Sequence, residues 1–330
     1  DVLPYVTTAN TARDMDLVRA ALHEPRISFL GYSYGTYLGA VYKTLYPDRV
    51  DRFVLDSADD PTKFGYEQFR LVSLGTALRL PDFTTWAAAR NDRYRLGTTA
   101  AAVRRTYDTL TARLDAQPVV LPDGSELTGN VLRIVTYEGL YRDANFPALA
   151  ETWQLLAAGT SPARIPTALL AAPSRQAATD PTIPFDNQPS VQAAIHCNDG
   201  RWPRDVAAYR RNVELDRRIF PATAGFPPNI WACAFWPLPS KEPAVTVTGS
   251  GDRNVLIVQN LRDPATPWVG ALGLQRALGR DATLLSVDQG GHTAYLFTAS
   301  SCTNATTTAF LVSGRLPTGP TLCPGQPMPS

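Results

Sequence analysis

RISFLGYSYGTYLG, residues Arg26 to Gly39, is a short apolar run followed by a G-x-S-x-G turn and a helical pattern. Ile27, Phe29 and Leu30 read as a strand that enters Gly31-Tyr32-Ser33-Tyr34-Gly35. A G-x-S-x-G between strand and helix is a nucleophile elbow. The turn is expected to be so tight that a side chain at either glycine meets neighbouring backbone. Ser33 is then pushed out at the sheet edge, where a base can reach its hydroxyl. The Tyr34 N–H and the dipole of the following helix offer a place for a developing oxyanion. Gly35, Gly39 and Ala40 put small residues where that helix must lie on the sheet.

The flanking segments continue an α/β rhythm. Residues 7–22 read as an amphipathic helix, with Thr8 or Asn10 as cap and Met15, Leu17, Val18, Ala21 and Leu22 as its apolar stripe. The elbow helix runs to about Leu45, and Arg52 to Asp56 is the next strand. Helix, strand, helix, strand is the pattern of a parallel sheet. From Pro61 to Ser250 the rhythm changes. Helices are expected at Leu71–Leu80, Thr98–Leu114, Leu127–Leu140, Pro147–Ala158 and Val206–Ile219. Loops lie between them, including Pro118–Gly124 and Ala172–Pro189. The sheet resumes with strands at Asn254–Gln259 and Ala282–Val287, helices at Trp268–Leu278 and Thr303–Val312, and a Pro/Gly-rich end from Leu316. The expected division is a core half carrying the elbow (1–60), a mostly helical insertion over the sheet (61–250), and a second core half (251–330). Trp231, Phe235 and Trp236 lie among prolines in Phe226–Pro243, as a cleft wall or as packing of an irregular loop.

Composition narrows the function. The 330 residues are 44% hydrophobic and 18% charged, with a net charge of +1. That balance, with no Lys/Arg run, argues against nucleic-acid binding, and no apolar run reaches the length of a membrane span. The four cysteines, Cys197, Cys233, Cys302 and Cys323, allow three pairings and contain no C-x-x-C, so neither zinc nor any other metal is expected. The sequential pairs Cys197–Cys233 and Cys302–Cys323, each stapling a loop-rich stretch, are the preferred reading, and they imply an exported protein.

A serine nucleophile needs a base, and the base an orienting carboxylate. Of three histidines, His23 sits at a helix end and His196 adjoins Cys197 in the insertion. His292, in Gly290-Gly291-His292, follows a late strand, as the chain order Ser, acid, His requires. Asp263 follows the strand before it, in a loop stiffened by Pro264. Asp56, after the strand next to the elbow, is the second choice of acid. Asp252 lies at the wrong strand end, and Asp288 is too close to His292 along the loop. The expected chemistry is acyl transfer through an acyl-enzyme on Ser33, with no cofactor.

Several blocks resemble one family. ANTARDMDLVRAAL (9–22), GYSYGTYLGAVY (31–42) and YPDRVDRFVLDSA (46–58) do so first. The likeness resumes at 194–199, 258–267, 290–295 and 301–317, with Cys323 beyond. The chain is similar to the actinobacterial tripeptidyl aminopeptidases and their relatives, exported serine hydrolases of the proline-iminopeptidase group. The resemblance implies an α/β-hydrolase fold, a triad of Ser33, Asp263 and His292, and release of short peptides from a free N-terminus. The group also holds esterases and other hydrolases of natural-product metabolism. A silent binding module on the same fold is the reading from another class, and the complete triad speaks against it. An aminopeptidase needs an anion for the substrate ammonium, and Asp199 and Glu138 are the candidates. The family also carries earlier strands and a glycine-rich loop that completes the oxyanion hole. None of that is in this sequence, so a preceding fragment or companion chain is expected to complete the sheet.

Overall fold

The computed structural model describes residues 2–159, 182–184, 186–238, 240–298 and 300–328. The expected loop from Ala172 falls largely outside them. Five strands form one parallel sheet in the order β1 (Ile27–Tyr32), β2 (Val50–Asp56), β5 (Val255–Arg262), β6 (Ala282–Gly290) and β7 (Thr321–Cys323). The register runs Gly31 opposite Leu55, Leu55 opposite Ile257, and Ile257 opposite Leu284. Alternate residues of the inner strands enter different cores. Phe53, Leu55, Val255 and Ile257 pack against α1 (Thr8–Ala21), α2 (Tyr34–Leu45) and α10 (Trp268–Leu278). Val54, Leu256, Val258 and Leu285 pack on the other face against Phe310 of α11 (Ser301–Ser313). A parallel sheet needs both faces covered, and this one has them.

The helical segment lies between β2 and β5. It contains α3 (Tyr66–Ala88), α4 (Asn91–Tyr94), α5 (Ala100–Ala116), α6 (Gly129–Gly139), α7 (Phe146–Ala157), α8 (Asn187–Asp199) and α9 (Val206–Ile219). Its core is its own, built on Phe83, Trp86, Tyr107, Phe146 and Trp153. Ala222 and Thr223 close it from the far side of α9: Tyr107 Oη donates to Ala222 O at 2.7 Å.

Four expectations change. α3 does not stop before Pro81 but runs to Ala88. The proline forfeits one backbone hydrogen bond. Burial of Leu80, Phe83, Trp86 and Ala87 along the same helix outweighs that loss. A two-strand hairpin, β3 (Val119–Val120) with β4 (Glu126–Leu127), occupies the loop before α6. The Pro/Gly-rich end supplies β7. Most of the stripe expected to bury α1 faces outward instead: Leu17, Val18 and Leu22 are exposed, while Met15 packs on the core and Ala12 and Asp16 turn in. Asp16 sets this rotation by accepting from Arg19 Nε at 2.8 Å, Tyr42 Oη at 3.2 Å and Arg49.

Both sequential cysteine pairs are joined. Cys197–Cys233 fastens α8 to the 232–235 turn, and Cys302–Cys323 fastens α11 to β7. Each closes a loop of a few tens of residues, worth about 3 kcal/mol through the unfolded chain. Among the described residues no helix is long and apolar enough to cross a membrane.

Arg79 of α3 ties the helical layer to the sheet. Its guanidinium, 1% exposed, donates to Asp82 at 2.6 Å, to Leu140 O at 3.2 Å and to Asp143. Asp82 also accepts from Arg262 at the end of β5, at 2.9 Å. Removing the cation leaves carboxylates facing each other without it. Arg79→Leu should therefore lower unfolding free energy by about 3 kcal/mol. Urea denaturation checks this, and a loss under about 1 kcal/mol would show the network to be dispensable.

Candidate active site

Ser33 sits between β1 and α2 with φ 55° and ψ −123°, a backbone state costly for any residue with a side chain. The surroundings hold it there. Ser33 N–H donates to Asp56 O at 2.9 Å, and Thr36 returns both its N–H and its hydroxyl to Ser33 O, at 2.8 and 2.7 Å. Gly31 is required by space: a Cβ there would lie 2.5 Å from Gly35 O. Gly35 differs from the expectation, because a Cβ there would meet nothing within 4 Å. Tyr34 is the first residue of α2, and its N–H is one that the helix cannot satisfy internally. Ser33 Oγ makes no hydrogen bond among the described residues, which leaves the hydroxyl free for a base.

Asp263 and His292 do meet. His292 Nδ1 lies 2.9 Å from Asp263 Oδ2 and 3.1 Å from Oδ1, both side chains being almost wholly buried. Asp263 is fixed before it meets the ring. Its Oδ1 accepts the N–H groups of Ala265 and Thr266, at 2.8 and 3.0 Å, and its Oδ2 accepts the Thr266 hydroxyl at 3.0 Å. These bonds are why the loop after β5 needs Ala265 and Thr266 just past the stiff Pro264. With Nδ1 committed to the carboxylate, Nε2 is left as the acceptor.

His292 leaves β6, three positions along the sheet from the elbow strand, so its loop has to fold back. Asp56 brings it. Its carboxylate accepts Ala294 N–H at 3.0 Å and Tyr295 N–H at 2.6 Å, while Ser57 Oγ accepts Thr293 N–H at 2.9 Å. Asn260 Nδ2 donates to Gly291 O at 2.8 Å, and Tyr32, inside the elbow, donates to Tyr295 O at 3.2 Å. From the helical layer, Tyr141 O accepts the His292 N–H at 2.8 Å, and its ring meets the imidazole edge-on at 5.0 Å. α3 presses on the acid loop as well. Gly75 permits it, since a Cβ there would be 2.5 Å from Pro264 O.

Burial alone would lower the His292 pKa. Asp263, by charge and hydrogen bond, with Asp56 and Asp59, outweighs it and raises the value above 6.5. Burial pushes Asp56 up to about 7 against the pull of its three hydrogen-bond donors. Asp59 also rises to about 7 by burial. No motif in the sequence distinguishes Asp59.

The remaining candidates are distributed as follows. Asp199 accepts the Thr8 N–H at 2.7 Å at the start of α1. It lines a pocket of about 300 Å³ with Tyr37, Pro61, Phe64 and Arg201, away from His292 and Asp263. Its carboxylate therefore has a structural partner, because a helix start leaves N–H groups to be satisfied. Glu138 is half-buried on α6, and its charge acts on Tyr137 and Tyr141. His196 is held neutral, its pKa lowered to about 4 by burial, with Phe64 stacked on it at 5.0 Å. Trp231 joins that aromatic group by stacking on Trp202 at 5.7 Å, whereas Phe235 is 65% exposed. Asp288 and Asp252 are surface carboxylates paired with Arg262 and Arg26.

Residues 224–323 match the family model described as "TAP-like protein". The chain is 33% identical over 96% of its length to the tripeptidyl aminopeptidase of Streptomyces lividans, covering 58% of that protein. It is 30% identical over 97% of its length to the serine protease Hip1 of Mycobacterium tuberculosis H37Rv, covering 62%. It is 29% identical over 96% to the carboxylesterase B of the same strain, covering 60%. The chain thus spans about three fifths of the length of these curated relatives. The sheet is a parallel α/β core, residues 224–323 match the TAP-like family model, and over nearly all of its length the chain is similar to the Streptomyces tripeptidyl aminopeptidases.

Proposed function

We propose that this chain carries the catalytic centre of an exported serine hydrolase that releases short peptides from a free N-terminus. The observation that carries the reading is the strained Ser33 elbow on the same sheet edge as the buried His292–Asp263 pair at 2.9 Å. In the proposed reaction His292 Nε2 removes the Ser33 proton as Oγ attacks the scissile carbonyl. The oxyanion forms beside the Tyr34 N–H. The imidazolium, stabilised by Asp263, gives its proton to the leaving amine, whose C–N bond breaks to leave an acyl-enzyme. Water, deprotonated by the same imidazole, then releases the acid and restores Ser33. The two disulfides suit an extracellular site. An esterase or amidase reading uses the same steps, and the likeness to a carboxylesterase favours it as the second choice.

The edge of the sheet bears on the partner. β1 is an apolar strand, yet only Gly31 within it is buried, and its outer side is unpaired among the described residues. The space beside Gly35 is open, and Leu17, Val18 and Leu22 of α1 are exposed. A long apolar edge of this kind invites pairing. We propose that a companion segment covers it and supplies the second oxyanion donor. Intact-mass measurement of the active protein tests this. A second polypeptide, or one chain longer than 35.9 kDa, is expected; a lone 35.9 kDa species with full activity would refute the proposal.

Labelling by a fluorophosphonate probe is expected at Ser33 and should vanish in Ser33→Ala. Turnover of a free-amine peptide should exceed that of its N-acetylated twin by at least about tenfold, the scale of one charge-assisted contact. Equal turnover of the two would move the assignment to the esterase or amidase reading.

The pH dependence follows from His292, which must be neutral to act as base. Its raised pKa means that kcat/KM falls as pH drops through a value above 6.5. Asp56→Asn removes one of the charges that raise it. The acid limb should move to lower pH, and the plateau should fall about tenfold because one of the two carboxylate oxygens that hold the His292 loop becomes a donor and can no longer accept an N–H. An unmoved limb would show that Asp56 does not act on the imidazole.

A further inference from the structure

Asp59 is a carboxylate with no visible employment. It is 5% exposed, and no hydrogen bond or ion pair reaches its oxygens among the described residues. Its neighbour Asp60 makes the contrast. Asp60 Oδ1 accepts the Thr62 N–H and hydroxyl, at 2.9 and 2.6 Å, and Oδ2 lies 3.7 Å from Lys63. A buried, unpaired charge is costly, so an unemployed carboxylate at such a place calls for a partner that comes from outside.

Its location says where that partner would be. Asp59 follows β2, between the elbow of β1 and the acid loop of β5. Its N–H donates to Thr36 Oγ1 at 3.0 Å, and the same hydroxyl donates to Ser33 O at 2.7 Å. Two hydrogen bonds in series therefore join Asp59 to the elbow itself. The charge of Asp59 is felt by Tyr34 and Tyr37 of α2, by Tyr141 from the helical layer, and by His292. Asp263 and Asp60 are its acidic neighbours. Apart from His292, no cation figures among these groups.

We propose that Asp59 binds a cationic group of the substrate, an ammonium held beside the reacting carbonyl. The ammonium can be the free α-amine, where the released peptide is as short as one residue, or the charged end of the side chain of the residue before the scissile bond. A chain extends by at most about 3.5 Å per residue, so an amine three residues from the scissile bond lies about 10 Å away. An anchor on the residue whose N–H is two hydrogen bonds from Ser33 suits a charge on the residue next to the scissile bond. The inference rests on the serine-hydrolase reading only for the position of the reacting carbonyl.

The test is binding without turnover, so that it does not depend on the triad working. Ser33→Ala, with any companion segment retained, is titrated calorimetrically with three probes. These are alanine amide (charged α-amine), N-acetyl-lysine amide (charged side chain) and N-acetylalanine amide (neutral). One of the two cations is expected to bind at least about tenfold more tightly than the neutral probe, and which one does identifies the source of the charge. Adding Asp59→Asn should remove that preference. Because Asp59 has no partner to lose, the same substitution should leave the melting temperature unchanged or raised, whereas a structural carboxylate would lower it. A cation preference that survives in the double variant, or no preference at all, overturns the assignment, as does a preference lost only with Glu138→Gln. Absence of fluorophosphonate labelling in the Ser33 protein would instead count against the hydrolase reading and leave the binding result standing.

Discussion

The geometry of the site depends on one buried carboxylate, Asp56. In the proposed reaction a base that follows β6 has to act on a serine that follows β1, with β2 and β5 between them. Neither strand order nor packing alone brings the loop back across that width. Asp56 does so by accepting two successive N–H groups, of Ala294 and Tyr295, directly after His292. Its own position is set by its pairing with Tyr32 in the parallel register and by its carbonyl, which takes the Ser33 N–H. One residue thus holds the proposed nucleophile through its backbone and the loop of the proposed base through its side chain. Backbone donors take part of the place of water around it, and burial still pushes its pKa up to about 7.

The helical layer enters the same arrangement from above. Tyr141 O holds the His292 N–H, so the imidazole is suspended between a carbonyl of the helical layer and a carboxylate of the sheet. α3 lies on the carbonyls of Asp263 and Pro264 through Gly75, and Arg79 links that helix through Asp82 to Arg262 at the end of β5. Movement of the helices relative to the sheet would therefore be felt at the acid and at the base together. A site with these connections is held by shared contacts, which is what pre-organised acyl transfer demands.

Much of this was legible in the sequence where a local pattern and a long-range constraint coincided. The elbow combines an apolar strand, two glycines and a serine within nine residues, and the order Ser33, Asp263, His292 follows three strand ends. Elements that draw their stability from elsewhere gave no such signal. β7 is three residues in a Pro/Gly-rich tail, held beside β6 by the Cys302–Cys323 bond. α8 is polar and buries only Ala194 and Cys197, so it shows no apolar period. α1 misled because its apolar stripe is real but mostly faces outward, and the side that packs is chosen by the Asp16 ion cluster. Asp59 could not be singled out at all: what distinguishes it is the absence of a partner, and only the folded arrangement reveals that.

The electrostatic balance of the site gives that absence its meaning. His292 is faced by Asp263, Asp56 and Asp59, three carboxylates around one imidazole. Asp263 is matched by the proton that His292 takes up during reaction, and Asp56 by backbone donors. Asp59 has neither. The proposed acyl transfer builds a further negative charge on the oxyanion, and like charges in a poorly solvated site raise the barrier unless one is neutralised. Burial pushes Asp59 up to about 7, so a proton or a cation brought to it can neutralise it. In the proposed reading the substrate brings that cation, and an ammonium beside Asp59 cancels the surplus while leaving the imidazole free to accept the Ser33 proton.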